Sequence, residues 1–180
     1  MHASIKAFAL AGIVAATPVF AQDMPFGSDD DAAYAQLLWD VMEAGRLAGP
    51  DKIMSFPYPG TDPHGMMLET FYTTASVNGH TGDLVVKRNY GPVGVSEAEV
   101  LENPDGHLGA YTVMFRREAG YDEDNQNWFW VKYLPDGSLD KNPMGMRLAG
   151  MVGKNADAGC IACHKGSENY LFTNTSLGMN

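Results

Sequence analysis

From Met66 to Gly137 the chain follows a period of two, the repeat of extended backbone rather than of helix. The stretches "MMLETFYTTASV", "DLVVKRNYG", "LGAYTVMFRRE" and "NWFWVKYLPDG" are rich in β-branched and aromatic residues, and Asn-Gly, Pro-Asp-Gly and similar turn signals separate them. Short spacings of this kind join neighbours head to tail, so the pattern predicts four to five antiparallel strands. Within "DLVVKRN" alternation puts Leu84, Val86 and Arg88 on one face and Asp83, Val85, Lys87 and Asn89 on the other. A solvent-facing Lys87 would leave Val85 exposed beside it. An inward Lys87 would lay its stem against the interior with Val85 packed behind.

A helix precedes the strands. After Ser28, a good N-cap, "DDDAAYAQLLWDVMEAGRL" carries acids in its first turn and sets Tyr34, Leu37, Leu38, Val41 and Met42 on one stripe, with a stop at Gly49-Pro50. "SEAE" from Ser96 to Glu99 is a capping-box start for a short helix between two strands. "PDKIMSFPYPGTDPHG" is a loop that forms either the rim of a site or a surface connection. The fold class is α+β: an antiparallel sheet with an N-terminal amphipathic helix and a short C-terminal helix.

Residues 1–21 read as an export signal, with Lys6, the apolar "AFALAGIVAA" and a small-residue cleavage site ending at Ala21, leaving 22–180 as a single domain. The apolar run is too short to span a bilayer. Without that segment 11 basic residues face 22 acidic ones, a net −11 against −10 for the whole chain. Such a charge argues against nucleic acid and anionic membranes as partners, and for a soluble protein of a periplasm-like compartment.

Both cysteines of the chain fall in "GCIACHKG", Gly159 to Gly166. A disulfide across a two-residue gap would constrain almost no unfolded-chain entropy. Zinc would need a second pair of ligands, and His64, His80 and His107 are scattered singly through turn-like segments that read as exposed. A thioredoxin-like pair belongs between a strand and a helix of a βαβ unit, which is missing before Cys160. Cys-x-x-Cys-His fits covalent attachment of one c-type haem: Cys160 and Cys163 as thioethers, His164 as the axial ligand to iron. Only sixteen residues follow His164, with Met179 their one methionine, so the Met/His iron of small electron carriers is disfavoured. Met42, Met66, Met67, Met114, Met144, Met146 and Met151 read as core filler. The expectation is an iron with an open sixth position.

Three segments, in order, resemble the cytochrome P-460 family and its relatives, the β-sheet cytochromes c′ (cytochrome c′-β). "TGDLVVKRNYGP" is similar to the family's lysine-bearing strand, "GYDEDNQNWFWVKYLPDGS" to its aromatic strand and turn, and "CIACHKGSENYLFT" to its haem motif with the trailing aromatic-Phe-Thr. The likeness spans about Phe56 to Leu177. It implies a homodimeric periplasmic mono-haem protein with five-coordinate iron. In the P-460 branch hydroxylamine is oxidised at a haem whose edge is bonded to a lysine, here Lys87; the c′-β branch lacks the bond and binds nitric oxide and other gases. Where the family usually has an acid after that lysine, this chain has Arg88.

Three functions stay open: oxidation of hydroxylamine or conversion of nitric oxide, with electrons passing to a partner such as a small c-type cytochrome; gas binding without turnover; and plain electron carriage. A base over the iron would serve the first. Glu69, Glu97, Glu99 and Glu118 are the acids considered for it, none singled out. "ENYLF", Glu168 to Phe172, is expected to pack beside the axial histidine.

Overall fold

The computed structural model describes residues 25–172. The export signal read over residues 1–21 lies outside them. The architecture is mixed α+β: helix α1 (Asp29–Ala44) covers one face of an antiparallel meander, β1 (Tyr58–Pro59), β2 (Met67–Val77), β3 (His80–Tyr90), β4 (Leu108–Arg116), β5 (Trp128–Tyr133) and β6 (Ala149–Gly150), in that spatial order. Helices α2 (Glu97–Glu102) and α3 (Pro104–His107) link β3 to β4, and α4 (Cys160–His164) lies near the C-terminal end. Among the described residues no helix is long and apolar enough to cross a membrane.

The sheet has six strands rather than the expected four to five. The four long ones coincide with the alternating stretches. β1 and β6 are two-residue pairings in Pro- and Gly-rich segments, too short to display a period. Helix α1 begins where expected, with Ser28 and Asp31 completing a capping box, but it ends at Ala44 rather than running to Gly49. Gly45 caps it, and Arg46 at φ 57° turns the backbone out of the helical region. Its buried stripe is Tyr34, Ala35, Leu38, Trp39 and Met42. Leu37, expected in that stripe, is exposed, because the stripe is rotated toward Trp39, which packs on Tyr111 and Tyr133 at ring separations of 5.3 and 5.0 Å. The capping box at Ser96 and Glu99 starts α2 as expected.

The sheet separates two apolar clusters. On the helix side, Leu84 and Val86 of β3, Val113 and Phe115 of β4, and Phe129 and Val131 of β5 join the α1 stripe. On the opposite side Val85, Met114, Trp128 and Trp130 pack with Val152 and Ile161. Period-two strands covered on both faces give this result directly. Not every methionine is filler: Met42, Met67 and Met114 are buried, whereas Met66 and Met144 are exposed in segments between the regular elements.

The helix-side face also holds a buried ionic cluster. Glu69 and Arg88 are both fully buried and 3.1 Å apart, and the Tyr90 hydroxyl also donates to Glu69. Arg88 donates to the carbonyls of Leu47 and Ile53 at 2.8 and 2.6 Å, while Glu69 accepts from the Ser55 amide at 2.5 Å. Buried charges persist when paired and hydrogen-bonded. Here they pin the segment that follows α1 onto the sheet.

Candidate functional site

The strand register builds the floor of the site. Thr70, Lys87, Thr112 and Lys132 are opposite one another across β2 to β5, and the next row on the same face is Tyr72, Val85, Met114 and Trp130. Above this floor lies a cavity of about 300 Å³, at the small end of the usual range for ligand pockets. Its lining is mostly apolar and includes Lys87, Cys160, Cys163 and His164, so one space gathers the four residues singled out in the sequence. Lys87 thus points inward with Val85 beside it, as alternation allowed. It is 8% exposed. Burial pushes its amine below the ordinary lysine range, partly countered by the Cys163 thiol.

Helix α4 is little more than one turn, and it presents its chemistry by spacing. Cys160 and Cys163 are three residues apart and share a face, with His164 adjoining. Its entry depends on glycine: Gly159 has φ 115°, and a Cβ there would come within 2.9 Å of the Gly153 Cα. The close crossing lets the Ile161 amide donate to the Val152 carbonyl at 3.0 Å, which docks α4 beside β6. The two thiols are not bridged. Burial pushes the Cys160 thiol up to about 11, the opposite of what a redox-active pair requires.

His164 is buried, 7% exposed, and its orientation is fixed. Its Nδ1 lies 2.7 Å from the Tyr170 carbonyl oxygen. A carbonyl only accepts, so Nδ1 carries the proton and Nε2 keeps its lone pair, the tautomer of a metal-ligating histidine. Trp130 and Phe172 flank the ring at 4.9 and 5.2 Å. The carbonyl is aimed by a short turn, Glu168–Tyr170, in which Asn169 and Tyr170 have φ of 54° and 63°. Left-handed backbone is uncommon outside glycine and unusual for a bulky Tyr. Side chains help to hold it: Trp128 Nε1 donates to the Asn169 carbonyl at 3.2 Å, and the Tyr170 hydroxyl donates to Asn125 Oδ1 at 3.1 Å. "ENYLF" therefore packs against the histidine as expected.

The histidines and acids need correction. None of His64, His80 and His107 is an exposed turn residue: His80 bonds the Arg116 carbonyl, His107 the Gly91 carbonyl, and His64 lines the cavity. The loop from Pro50 to Gly65 is thus a rim, because its anchored start returns the chain over the floor at Pro63 and His64. None of the four acids reaches the cavity. Glu69 belongs to the cluster on the other face, Glu97 and Glu99 are exposed on α2, and exposed Glu118 pairs with Arg117. No periodicity marks His64, which follows Pro57, Pro59, Gly60 and Pro63 in an irregular segment.

Comparison with family models, with characterised proteins and with solved structures finds no match. Among the described residues no three His, Cys, Asp or Glu side chains gather closely enough to hold a metal ion by themselves.

Proposed function

We propose that this chain is a mono-haem c-type cytochrome of the P-460 and c′-β kind, which binds a small nitrogen-containing molecule such as hydroxylamine or nitric oxide at the iron and oxidises or converts it. The observation that carries the reading is the convergence of Cys160, Cys163 and a His164 of fixed tautomer on one apolar cavity with Lys87 on its floor. The residues present fit the group. Two unbridged thiols and an imidazole with a free Nε2 belong to the lining, and most of the remaining lining is apolar. The wall also carries the Trp130 indole N–H, buried and without a partner among the described residues. Leaving a buried donor open costs about 1–3 kcal/mol, a cost that a bound acceptor removes.

When bound, haem supplies the redox chemistry, and its axial ligands and surroundings tune it. The protein's part is positional. Cys160 and Cys163 fix the group in the cavity; Tyr170 orients His164 and raises its basicity as a ligand. Lys87, its amine shifted toward neutrality, is the residue proposed to bond the haem edge: the neutral amine is the nucleophilic form, and the new N–C bond would replace one N–H and one edge C–H, with two protons released and two electrons passed to an external oxidant. The acceptor of electrons is proposed to be a small c-type cytochrome, the compartment periplasmic and the assembly a homodimer.

The test of enzyme against gas binder is the Lys87 bond. Digestion and mass spectrometry of the protein made with c-type maturation should find the Lys87 peptide joined through haem to the Cys160–His164 peptide, together with hydroxylamine oxidation by an artificial acceptor. Peptides that separate cleanly, with no turnover, would leave gas binding as the function.

A further inference from the structure

We propose that the outer edge of β2, from Thr70 to Ser76, is the surface through which two copies of this chain associate, by antiparallel pairing of the same edge on each. The inference rests on the homodimer proposed above, not on the haem. β2 is eleven residues long, yet β1 pairs only with its first two, Met67 and Leu68. Among the described residues no backbone group pairs with the rest of that edge. The opposite edge of the sheet is covered by the chain itself: Phe26 bridges Gly150, and the Gly27 amide donates to the Ala149 carbonyl at 2.7 Å. The hairpin from β2 to β3 fixes which groups face outward. Its loop is Asn78 and Gly79, both at positive φ, and it closes on the pair Val77 and His80. A two-residue loop makes that flanking pair hydrogen-bonded, and such pairs recur at every second residue. Thr73 and Ala75 thus bond β3, whereas Thr70, Tyr72, Thr74 and Ser76 turn their N–H and C=O groups away from it.

Open edges are ordinarily guarded by charge, proline or a bulge. This one is not: Thr70 to Ser76 contains no charged residue and no proline, and its register with β3 is unbroken. A chain of net charge −10 repels its own kind, so an uncharged stretch is where a second copy can approach. The second copy also supplies what the edge needs, an extended strand with free N–H and C=O groups in the same order, and a two-fold axis matches them. Pairing about Thr73 sets Tyr72 opposite the partner subunit's Thr74 and Thr70 opposite the partner subunit's Ser76. Two exposed aromatics flank the run, Tyr72 at 50% and Phe56 at 79%, the latter placed by the bond from the Ser55 amide to Glu69. Tyr72 also lines the cavity, so a second copy seated on this edge covers that wall.

The experiment compares wild type, Thr74→Pro and Thr73→Lys, each made with c-type maturation, by light-scattering mass and by hydrogen exchange. Thr74→Pro removes an outward N–H and leaves the ladder to β3 intact; Thr73→Lys sets like charges opposite one another at the seam and touches no backbone bond. Wild type should have twice the mass of a single chain, and both variants the single-chain mass with unchanged far-ultraviolet circular dichroism. The Tyr72 and Ser76 amides should exchange about 10-fold or more slowly in wild type than in either variant. Should Thr74→Pro lose its circular dichroism, Thr73→Lys alone decides. A single-chain wild type overturns the homodimer and the edge together, whether those amides exchange fast or are slowed by some other part of the chain lying on them. A dimer that persists in the folded variants removes this edge and leaves the homodimer standing.

Discussion

At the scale of single residues, the proposed function is tested at Lys87 and at the turn that aims the Tyr170 carbonyl. Lys87→Leu should keep covalent haem and abolish both the cross-linked peptide and hydroxylamine oxidation, read by mass spectrometry and by reduction of an artificial acceptor. Cross-linked peptide persisting in that variant would place the bond on another residue. Trp128→Phe removes the donor to the Asn169 carbonyl and should lower stability by about 0.5–1.5 kcal/mol in urea titration, with a measurable shift of the iron's potential as the Tyr170 carbonyl loosens from His164. An unchanged potential would mean that the turn only packs. The inward face of Lys87 was legible because Val85 shares it, and a period of two leaves two choices. His64 was not legible. Its position comes from the path of an irregular loop, and an irregular loop leaves no pattern in the order of its residues.

At the scale of elements, the sheet's two faces do different work, and the buried pair at Glu69 and Arg88 belongs to the structural one. Arg88→Met strands a buried carboxylate and should cost about 3–5 kcal/mol. Denaturant midpoints check it, and a change below about 1 kcal/mol would show that the cluster is not what pins the loop from Leu47 to Ser55. Ser28→Ala, which removes half of the capping box on α1, should cost about 1 kcal/mol by the same measurement. The long strands and both capping boxes could be read from sequence, since alternation and caps are local chemistry. The early end of α1 and the two edge pairings could not. Arg46 in a left-handed conformation and the partners of β1 and β6 are set by tertiary contacts, not by neighbours in the chain.

For the whole molecule, the unequal treatment of the sheet's faces is what makes a site. One face is filled by α1 with aromatic packing and a paired charge. The other is covered only in part, by α4 and the rim loop, and keeps an apolar space with two thiols, an oriented imidazole and a buried amine around it. The spacing of "CIACH" raised the expectation of haem attachment; only the folded chain brings Lys87, 73 positions before Cys160, to the same cavity. The most direct test is the mass of the C-terminal peptide. Protein made with c-type maturation, extracted with acid-acetone and digested, should yield the peptide containing Cys160, Cys163 and His164 with one haem attached through both sulfurs. The same peptide recovered with two free thiols, and colour in the solvent, would contradict the account.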